Sequence, residues 1–248
     1  MTAIPPALVD ALRAAREVTV LTGSGISAES GIPTFRDAQT GIWAEYRPED
    51  LATPEAFAVN PRRVWEWYAW RRQMVSDAEP NAGHYALARL ASLVPRLNLI
   101  TQNVDGLHQR AGSENVIEYH GNILRNVCSI EGIVVDEQPV GDELPPACPA
   151  CGGPLRPGVV WFGEAIPPAA MEAARRAAEA CDLFLSVGTS SLVYPAAGLM
   201  EVALRNAARL IEVNPNPTPV TGLADFPLTG AAGDVLPRLV DALCERGE

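Results

Sequence analysis

The chain has 248 residues, with 30 acidic side chains against 19 basic ones and a formal net charge of -11. All 19 bases are arginine, because the sequence contains no lysine. This acidity argues against nucleic-acid binding, which needs clustered basic side chains. The 48% hydrophobic content excludes a disordered chain, and the length predicts one or two domains with a substantial core.

The beginning of the chain and its cysteines bear on the cellular compartment. The first residues lack a basic start followed by an apolar run, so no signal peptide is predicted. No apolar run approaches the ~20 residues that span a bilayer. Five cysteines, an odd number, do not indicate a disulfide framework. We therefore expect a cytoplasmic protein that binds neither membranes nor nucleic acid.

Short apolar strands alternate with helices along most of the chain. The pattern predicts helices over residues 5–16, 61–76, 82–93, 167–181, 195–207 and 233–246, and strands over residues 18–22, 97–101, 183–187 and 209–213. Such alternation is typical of a parallel sheet covered by helices on both faces, an α/β, Rossmann-like fold. Ligands of such sheets bind beyond the carboxyl ends of the strands.

Two stretches interrupt this alternation. Residues 38–81 combine a loop with an aromatic helix, and residues 121–157 are rich in Pro, Gly and Cys. We expect them to form a small inserted domain, part helical and part zinc-ribbon-like. The Rossmann-like domain would then consist of residues 1–37, 82–120 and 158–248.

A glycine turn, Gly23-Ser24-Gly25, directly follows the first predicted strand. Glycines let the backbone approach a pyrophosphate, and a helix N-terminus after the turn would favour its charge. The third glycine of the usual fingerprint is absent, however, and an ordinary tight turn would leave the same pattern. No acidic residue ends the next strand, so Asn214 could take the place of the usual ribose carboxylate. Gly188-Thr-Ser190 after another strand strengthens the dinucleotide hypothesis.

Six motifs, in order along the chain, resemble the signature of the sirtuin family of NAD-dependent protein deacylases. Ser24 replaces the alanine that is usual in the first of them. The motifs span nearly the whole chain and are Gly23-Ser-Gly-Ile-Ser-Ala-Glu-Ser-Gly-Ile-Pro-Thr-Phe-Arg-Asp37, Thr101-Gln-Asn-Val-Asp105, Glu118-Tyr-His-Gly121, Val160-Trp-Phe-Gly-Glu164, Gly188-Thr-Ser190 and Val213-Asn-Pro-Asn216.

The resemblance implies that the chain consumes NAD to remove acyl groups from lysine, releasing nicotinamide and O-acyl-ADP-ribose. Histidine titrates near neutral pH and suits the base that activates a ribose hydroxyl. Of the three histidines, His120 matches the catalytic position of the family, whereas His84 and His108 lie on predicted helices. The resemblance also implies that Asn103 and Asp105 hold the carboxamide and the ribose, and that both belong to the catalytic residues.

Further cofactor residues follow from the same resemblance. Phe35 matches the ring that covers the reactive ribose face, and Arg36 matches a loop residue near the phosphates. The full set implied for NAD is Gly23, Ser24, Gly25, Thr34, Phe35, Arg36, Gln102, Asn103, Asp105, Gly188, Thr189, Ser190, Asn214, Asn216 and Ala232.

The substrate side is implied by the Val160–Glu164 motif, which matches a strand that pairs with the substrate peptide. Its residues are Val160, Trp161, Phe162, Gly163 and Glu164, and the opposing side would come from Val193 and Tyr194. Core packing is the alternative explanation for Trp161 and Phe162.

Tyr68 and Arg71 are three residues apart on the predicted aromatic helix, so they share a face. An arginine fork beside a phenol can bind a carboxylate. The spacing resembles the bacterial sirtuin subgroup that removes succinyl, malonyl and related acidic acyl groups as well as acetyl. A solvated arginine beside a core tyrosine would give the same spacing.

Cys148-Pro-Ala-Cys151 has the spacing of half a tetrahedral zinc site. The family usually has a second pair upstream, but here Cys128 is followed three residues later by Glu131. The predicted metal ligands are therefore Cys128, Cys148 and Cys151. Either Glu131, Asp136 or water completes a structural zinc site, or the metal is lost.

Two other functions remain open at this stage. One is ADP-ribosyl transfer to protein, and the other is a non-catalytic NAD-binding module. The presence of His120 and of the acyl-pocket residues favours deacylation over both.

Overall fold

The computed structural model describes residues 3–33, 46–135 and 143–245. The strands within these ranges are β1 (Val18–Thr22), β2 (Leu97–Thr101), β3 (Ile117–Glu118), β4 (Gly121–Cys128), β5 (Val134–Val135), β6 (Leu155–Val159), β7 (Leu183–Val187), β8 (Arg209–Asn214) and β9 (Phe226–Thr229). The helices are α1 (Pro6–Ala14), α2 (Pro48–Leu51), α3 (Pro54–Val59), α4 (Pro61–Asp77), α5 (Ala82–Ala91), α6 (Leu107–Arg110), α7 (Pro168–Ala180), α8 (Ala197–Arg205) and α9 (Ala232–Glu245).

The larger sheet has six strands in the order β3-β2-β1-β7-β8-β9, and all of its pairs are parallel. Every residue of β1 and β7 is buried, as expected for strands covered on both faces. The predicted α/β, Rossmann-like architecture is confirmed. β3 and β9, which form the two edges, were not predicted.

Helices cover the two faces of this sheet. On one face α1, α5 and α9 contribute side chains such as Leu12, Leu90 and Leu239 to the largest apolar cluster. On the other face α7 and α8 contribute Ala177 and Met200 to a second cluster.

A separate three-stranded antiparallel sheet, in the order β5-β4-β6, forms the smaller module that the sequence predicts. It packs against the aromatic helix α4 through a cluster that includes Trp67, Tyr68 and Ile123. β6 crosses the predicted domain boundary between residues 157 and 158, and the boundaries themselves stay a prediction. No helix in the described ranges is long and apolar enough to cross a membrane.

Candidate functional site

Four strand ends meet at one edge of the large sheet. The parallel register aligns the last residues of β1, β2 and β7 and the corresponding position of β8. Predicted cofactor residues therefore lie side by side, although they are distant in sequence. These residues are Gly23, Gln102, Gly188 and Asn214.

The glycine turn after β1 packs against the turn after β7. The Gly25 N–H donates to Gly188 O at 2.8 Å, and a Cβ on Gly25 would lie 2.7 Å from that oxygen. A Cβ on Gly23 would lie 2.8 Å from Thr189 Cβ. Both positions therefore need glycine for packing. The expected helix start after the turn is wrong: two short 3₁₀ turns, Ser24–Ile26 and Ala28–Ser30, follow instead.

Side chains from neighbouring strand ends converge on Thr189. Gln102 Nε2 donates to Thr189 Oγ1 at 3.1 Å, and Asn214 Nδ2 donates to Thr189 O at 2.8 Å. Ser190 beside them is half-buried, and Asn216 is exposed. These amides and hydroxyls form a polar rim that suits ribose and phosphate oxygens.

Ala232 begins α9 and is buried at the same end of the molecule. The adjacent Gly233 N–H donates to Glu29 Oε2 at 2.7 Å, so the start of α9 is tied to the segment after the glycine turn. The start of α9, with the predicted adenine position, therefore lies close to the segment that follows the glycine turn.

His120 lies directly before β4, with its ring fixed by the backbone. Its Nδ1 lies 3.0 Å from Gln102 O, and because a carbonyl can only accept, Nδ1 carries the hydrogen. The lone pair of the neutral ring is then on Nε2. Burial lowers the pKa of His120, while the Gln102 contact partly opposes that shift. The side chain is thus a neutral base at pH 7.

A buried hydrogen-bond network lies below the strand ends. Ser27 Oγ donates to Asp105 Oδ2 at 2.7 Å and accepts from Asn103 Nδ2 at 3.0 Å. The Leu107 N–H donates to the other Asp105 oxygen at 2.9 Å. Burial raises the pKa of Asp105, and these hydrogen bonds oppose the rise. The two predicted catalytic residues of the Thr101–Asp105 motif are therefore held in place by Ser27.

Two histidines complete the network. His84 Nε2 lies 3.4 Å from Ser27 Oγ, and His108 Nε2 lies 3.0 Å from Thr22 Oγ1. Their ring centroids are 4.9 Å apart. Burial lowers the pKa of His84 to about 4, and burial with the nearby His84 charge lowers that of His108 to about 3. Both are uncharged in the folded protein at neutral pH.

Tyr68 and Arg71 both lie on α4, Tyr68 buried and Arg71 half-buried. The Tyr68 hydroxyl accepts a 2.9 Å hydrogen bond from Trp161 Nε1. Burial raises the pKa of Tyr68 to about 12, so the phenol keeps its proton. The Arg71 guanidinium carbon lies 5.0 Å from the Trp67 ring. Burial lowers the pKa of Arg71, and the nearby Tyr68 and Asp105 oppose that shift.

The segment after β6 links both sites. The Val160 N–H donates to His120 O at 2.9 Å, which places the predicted substrate strand beside the candidate base. Phe162 is 44% exposed, and Val193 and Tyr194 of the predicted opposing side are 42% and 67% exposed. Gly163 has a φ of +85°, a turn conformation that suits glycine. The predicted substrate residues therefore include three large side chains that are exposed.

Cysteines from two loops of the small module form one cluster. The Sγ atoms of Cys128, Cys148 and Cys151 and a carboxylate oxygen of Glu131 all lie within 4.8 Å of one another. The sulfurs of Cys128 and Cys151 are 3.4 Å apart, too far for a disulfide. Three thiolates and a carboxylate are a fitting donor set for tetrahedral zinc. Among the alternatives for a fourth ligand, this geometry favours Glu131.

Some of the predicted residues cannot be placed. Thr34, Phe35 and Arg36 of the NAD set, and Asp136 near the cysteines, lie outside the described residues. For the remainder, the described geometry brings the cofactor residues to one edge and the substrate residues beside it, and their individual roles stay predictions.

The comparisons with known proteins agree with this arrangement. The model of the Sir2 family matches residues 23–195. The chain belongs to the Sir2 family. This confirms the family resemblance predicted from the six motifs.

Relatives of this Sir2-family chain are similar over nearly their whole length. It is 52% identical over 244 residues to a protein of Methylococcus capsulatus named NAD-dependent protein deacylase, covering 95% of this chain and 96% of that protein. A crystal structure of a Sir2 homologue–NAD complex superimposes with a TM-score of 0.93 at 44% identity, covering 99% of this chain and 96% of that one. A Sir2 homologue mutant in complex with 2′-O-acetyl ADP ribose has a TM-score of 0.91 at 45% identity, covering 98% of both chains.

Sequence reasoning missed part of this site. The sequence assigns no role to Ser27 within the first motif, and it places His84 only on a predicted helix. The Asn81-Ala-Gly-His84 run is in fact a capping box: the Asn81 N–H donates to His84 Nδ1 at 3.3 Å. The Asn-x-x-His spacing could have indicated a role for His84, because a histidine in a capping box has a fixed ring orientation.

Proposed function

We propose that this Sir2-family chain is an NAD-dependent protein deacylase that removes acetyl and acidic acyl groups, succinyl and malonyl, from lysine. Nicotinamide and O-acyl-ADP-ribose are the expected products. The chain is an NAD-dependent protein deacylase like its relatives of about 50% identity. The acyl preference and the role of each residue are the new part of the proposal. The cytoplasmic location stays a prediction.

The observation that carries the activity is the orientation of His120. Its Nδ1–H donates to Gln102 O, which directs the basic Nε2 away from that strand end. A neutral, oriented imidazole can take a proton from a hydroxyl at pH 7. Bound NAD would supply a ribose carbon as electrophile and ribose hydroxyls as acyl acceptors.

The residues around His120 would bind and orient that co-substrate. Asn103 and Asp105, held by Ser27, would fix the nicotinamide end, while Gln102, Thr189 and Asn214 present polar groups to the ribose and phosphates. The hydrogen-bonding groups at these strand ends fit a dinucleotide, because each of these side chains is already held in place by a hydrogen bond within the protein. Water exclusion would come from the substrate strand that joins His120 through Val160.

The proposal for acidic acyl groups rests on Tyr68 and Arg71. The proton on Tyr68 can be donated to a carboxylate, and the planar Arg71 fork can donate two parallel hydrogen bonds. The influence of Asp105 on Arg71 indicates that the helix face and the nicotinamide end are close together. An ADP-ribosyltransferase or a passive NAD-binding module would not need this pocket.

The test compares turnover of matched acetyl-lysine and succinyl-lysine peptides by wild type and two arginine variants. Arg71→Met is expected to lower desuccinylation about 100-fold and deacetylation far less, because a desolvated carboxylate would lose its charged partner. Arg62→Met is the control on the same helix, since Arg62 is exposed and pairs with Glu66 at 2.8 Å. Equal losses on both peptides for Arg71→Met would refute the pocket.

A further inference from the structure

Arg156, on β6, stacks on the ring of Trp161 in the substrate strand. Its guanidinium carbon lies 3.4 Å from the ring centroid, a close cation–π contact. Its side chain is only 15% exposed. The same guanidinium donates to Val159 O at 2.8 Å, so it also holds the residue where β6 ends.

Glu164 closes the arrangement from the other end of the strand. It accepts from the two terminal nitrogens of Arg156 at 2.5 and 2.8 Å and from the Trp161 N–H at 2.7 Å. Burial would raise the pKa of Glu164, but these hydrogen bonds and the Arg156 charge lower it below its usual value. A bidentate pair of this kind has a fixed plane, which fixes the indole lying on it.

The indole of Trp161 connects this fixed arrangement to the acyl pocket. Trp161 Nε1–H donates to the Tyr68 hydroxyl at 2.9 Å, and Phe57 packs against Trp161 with ring centroids 5.3 Å apart. Because the indole can only donate, it uses a lone pair of the Tyr68 oxygen. The hydroxyl hydrogen of Tyr68 is then directed elsewhere and is available to a ligand acceptor.

We propose that Arg156 and Glu164 are positioning residues for acyl selectivity: they hold Trp161 so that its N–H orients the Tyr68 hydroxyl as a donor to an acidic acyl group. This inference rests on the proposed function. Neither residue touches the acyl group. The path runs from the small sheet through Trp161 to α4, so the module that carries the cysteines also shapes the pocket.

The experiment measures kcat and KM on the same acetyl-lysine and succinyl-lysine peptides for Arg156→Met, Tyr68→Phe and the double variant. Arg156→Met is expected to lower the succinyl-to-acetyl ratio of kcat/KM about tenfold. A Tyr68 hydroxyl that is slightly misplaced no longer donates a well-aligned hydrogen bond to the acidic acyl group. In the Tyr68→Phe background Arg156→Met should leave that ratio unchanged, since the oriented hydroxyl is already gone. A purely structural role would lower both activities and leave the ratio alone.

Two further variants keep the test decisive if Arg156→Met folds poorly. Trp161→Phe removes the indole donor and keeps a ring under the guanidinium, so it should reproduce the loss in ratio. Arg175→Met is the matched control, because Arg175 makes a similar two-pronged pair with Glu172 on the exposed face of α7. It should leave both activities at the wild-type level.

The wild type separates the two hypotheses. If wild type cleaves succinyl-lysine and Arg71→Met selectively loses that activity, the proposed function stands, and an unchanged ratio in Arg156→Met and Trp161→Phe then overturns this inference alone. Losses that multiply independently in the Arg156→Met and Tyr68→Phe double variant overturn it as well. If wild type leaves succinyl-lysine untouched, the proposed acyl preference fails, and the selectivity role of Arg156 fails with it.

Discussion

The carboxyl ends of the strands in the large sheet are stabilised in one way, and the small module around the cysteines is stabilised in another. At the sheet edge, backbone contacts and buried hydrogen bonds join the strand ends, and two large apolar clusters lie behind them. In the small module, the cluster next to the cysteines consists, within the described ranges, of Trp65, Cys128, Val135, Cys148 and Leu155.

The strand ends of the large sheet are thus a self-supporting site, whereas the cysteine cluster needs further stabilisation. β4 and β6 also pack on α4, but the loops that carry the cysteines have only this small cluster, which buries little apolar surface. A metal ion on the cysteines would supply the missing stabilisation. The sheet edge, in contrast, is ordered by the same core that folds the chain.

Replacement of the candidate base should affect chemistry alone. We expect His120→Ala to lower deacylation roughly 10²- to 10⁴-fold, the range typical of a lost general base, because the other two histidines are buried in their own hydrogen-bond network and cannot take over its role. The measurement is nicotinamide release with an acetyl-lysine peptide. NAD binding and the thermal midpoint should stay near wild type, and activity that survives in the variant would rule out this mechanism.

Loss of a cysteine ligand should unfold the small module and spare the large sheet. Cys148→Ser is expected to abolish the bound metal, counted per chain by elemental analysis, and to expose the β4–β6 region to limited proteolysis. Cys244→Ser, in the terminal helix, is the control. Equal metal contents in the two variants would contradict the assigned ligand set.

A single methyl group at the glycine turn should disturb the self-supporting site. Gly25→Ala places a Cβ against the Gly188 carbonyl, and backbone cannot move aside as a flexible side chain can. We expect a loss of about 3 kcal/mol in the free energy of unfolding, at the upper end for overpacking. Gly222→Ala, where nothing lies within 4 Å of the new Cβ, is the control. Identical denaturation midpoints would show that the turn is looser than described.

The buried histidine pair should make the sheet edge sensitive to acid. The pKa of His84 is about 4 in the folded protein and near 6.5 when unfolded, so the unfolded chain binds the extra proton between these values. Stability is therefore present above pH 6.5 and is lost as the pH falls. His84 contributes about 2 kcal/mol of loss between pH 7 and 5.

The check is urea denaturation of wild type and His84→Gln at both pH values. The variant should lose about 2 kcal/mol less than wild type over this interval. Asp105, whose pKa is raised by burial, acts in the opposite direction but is common to both proteins. An identical pH dependence would mean that His84 is protonated in the folded state.

The regular elements could be predicted because their signals are local. The four predicted strands match β1, β2, β7 and β8 within one residue, since a buried strand of a parallel sheet reads as a continuous apolar run. The sequence does not predict β9, because Pro227 interrupts it. An edge strand such as β9 tolerates a proline. β3 has only two residues, too few for any periodicity.

The sequence by itself determined the family, the sheet and the contiguous motifs, because residues a few positions apart are placed by local geometry. Only the tertiary structure decided which distant side chains meet: Ser27 with His84, and Trp161 with Tyr68. It also stacked Arg156 on the Trp161 ring and brought Cys128 and Glu131 to Cys148 and Cys151. These contacts depend on the packing of one element on another, and no spacing along the chain encodes that packing.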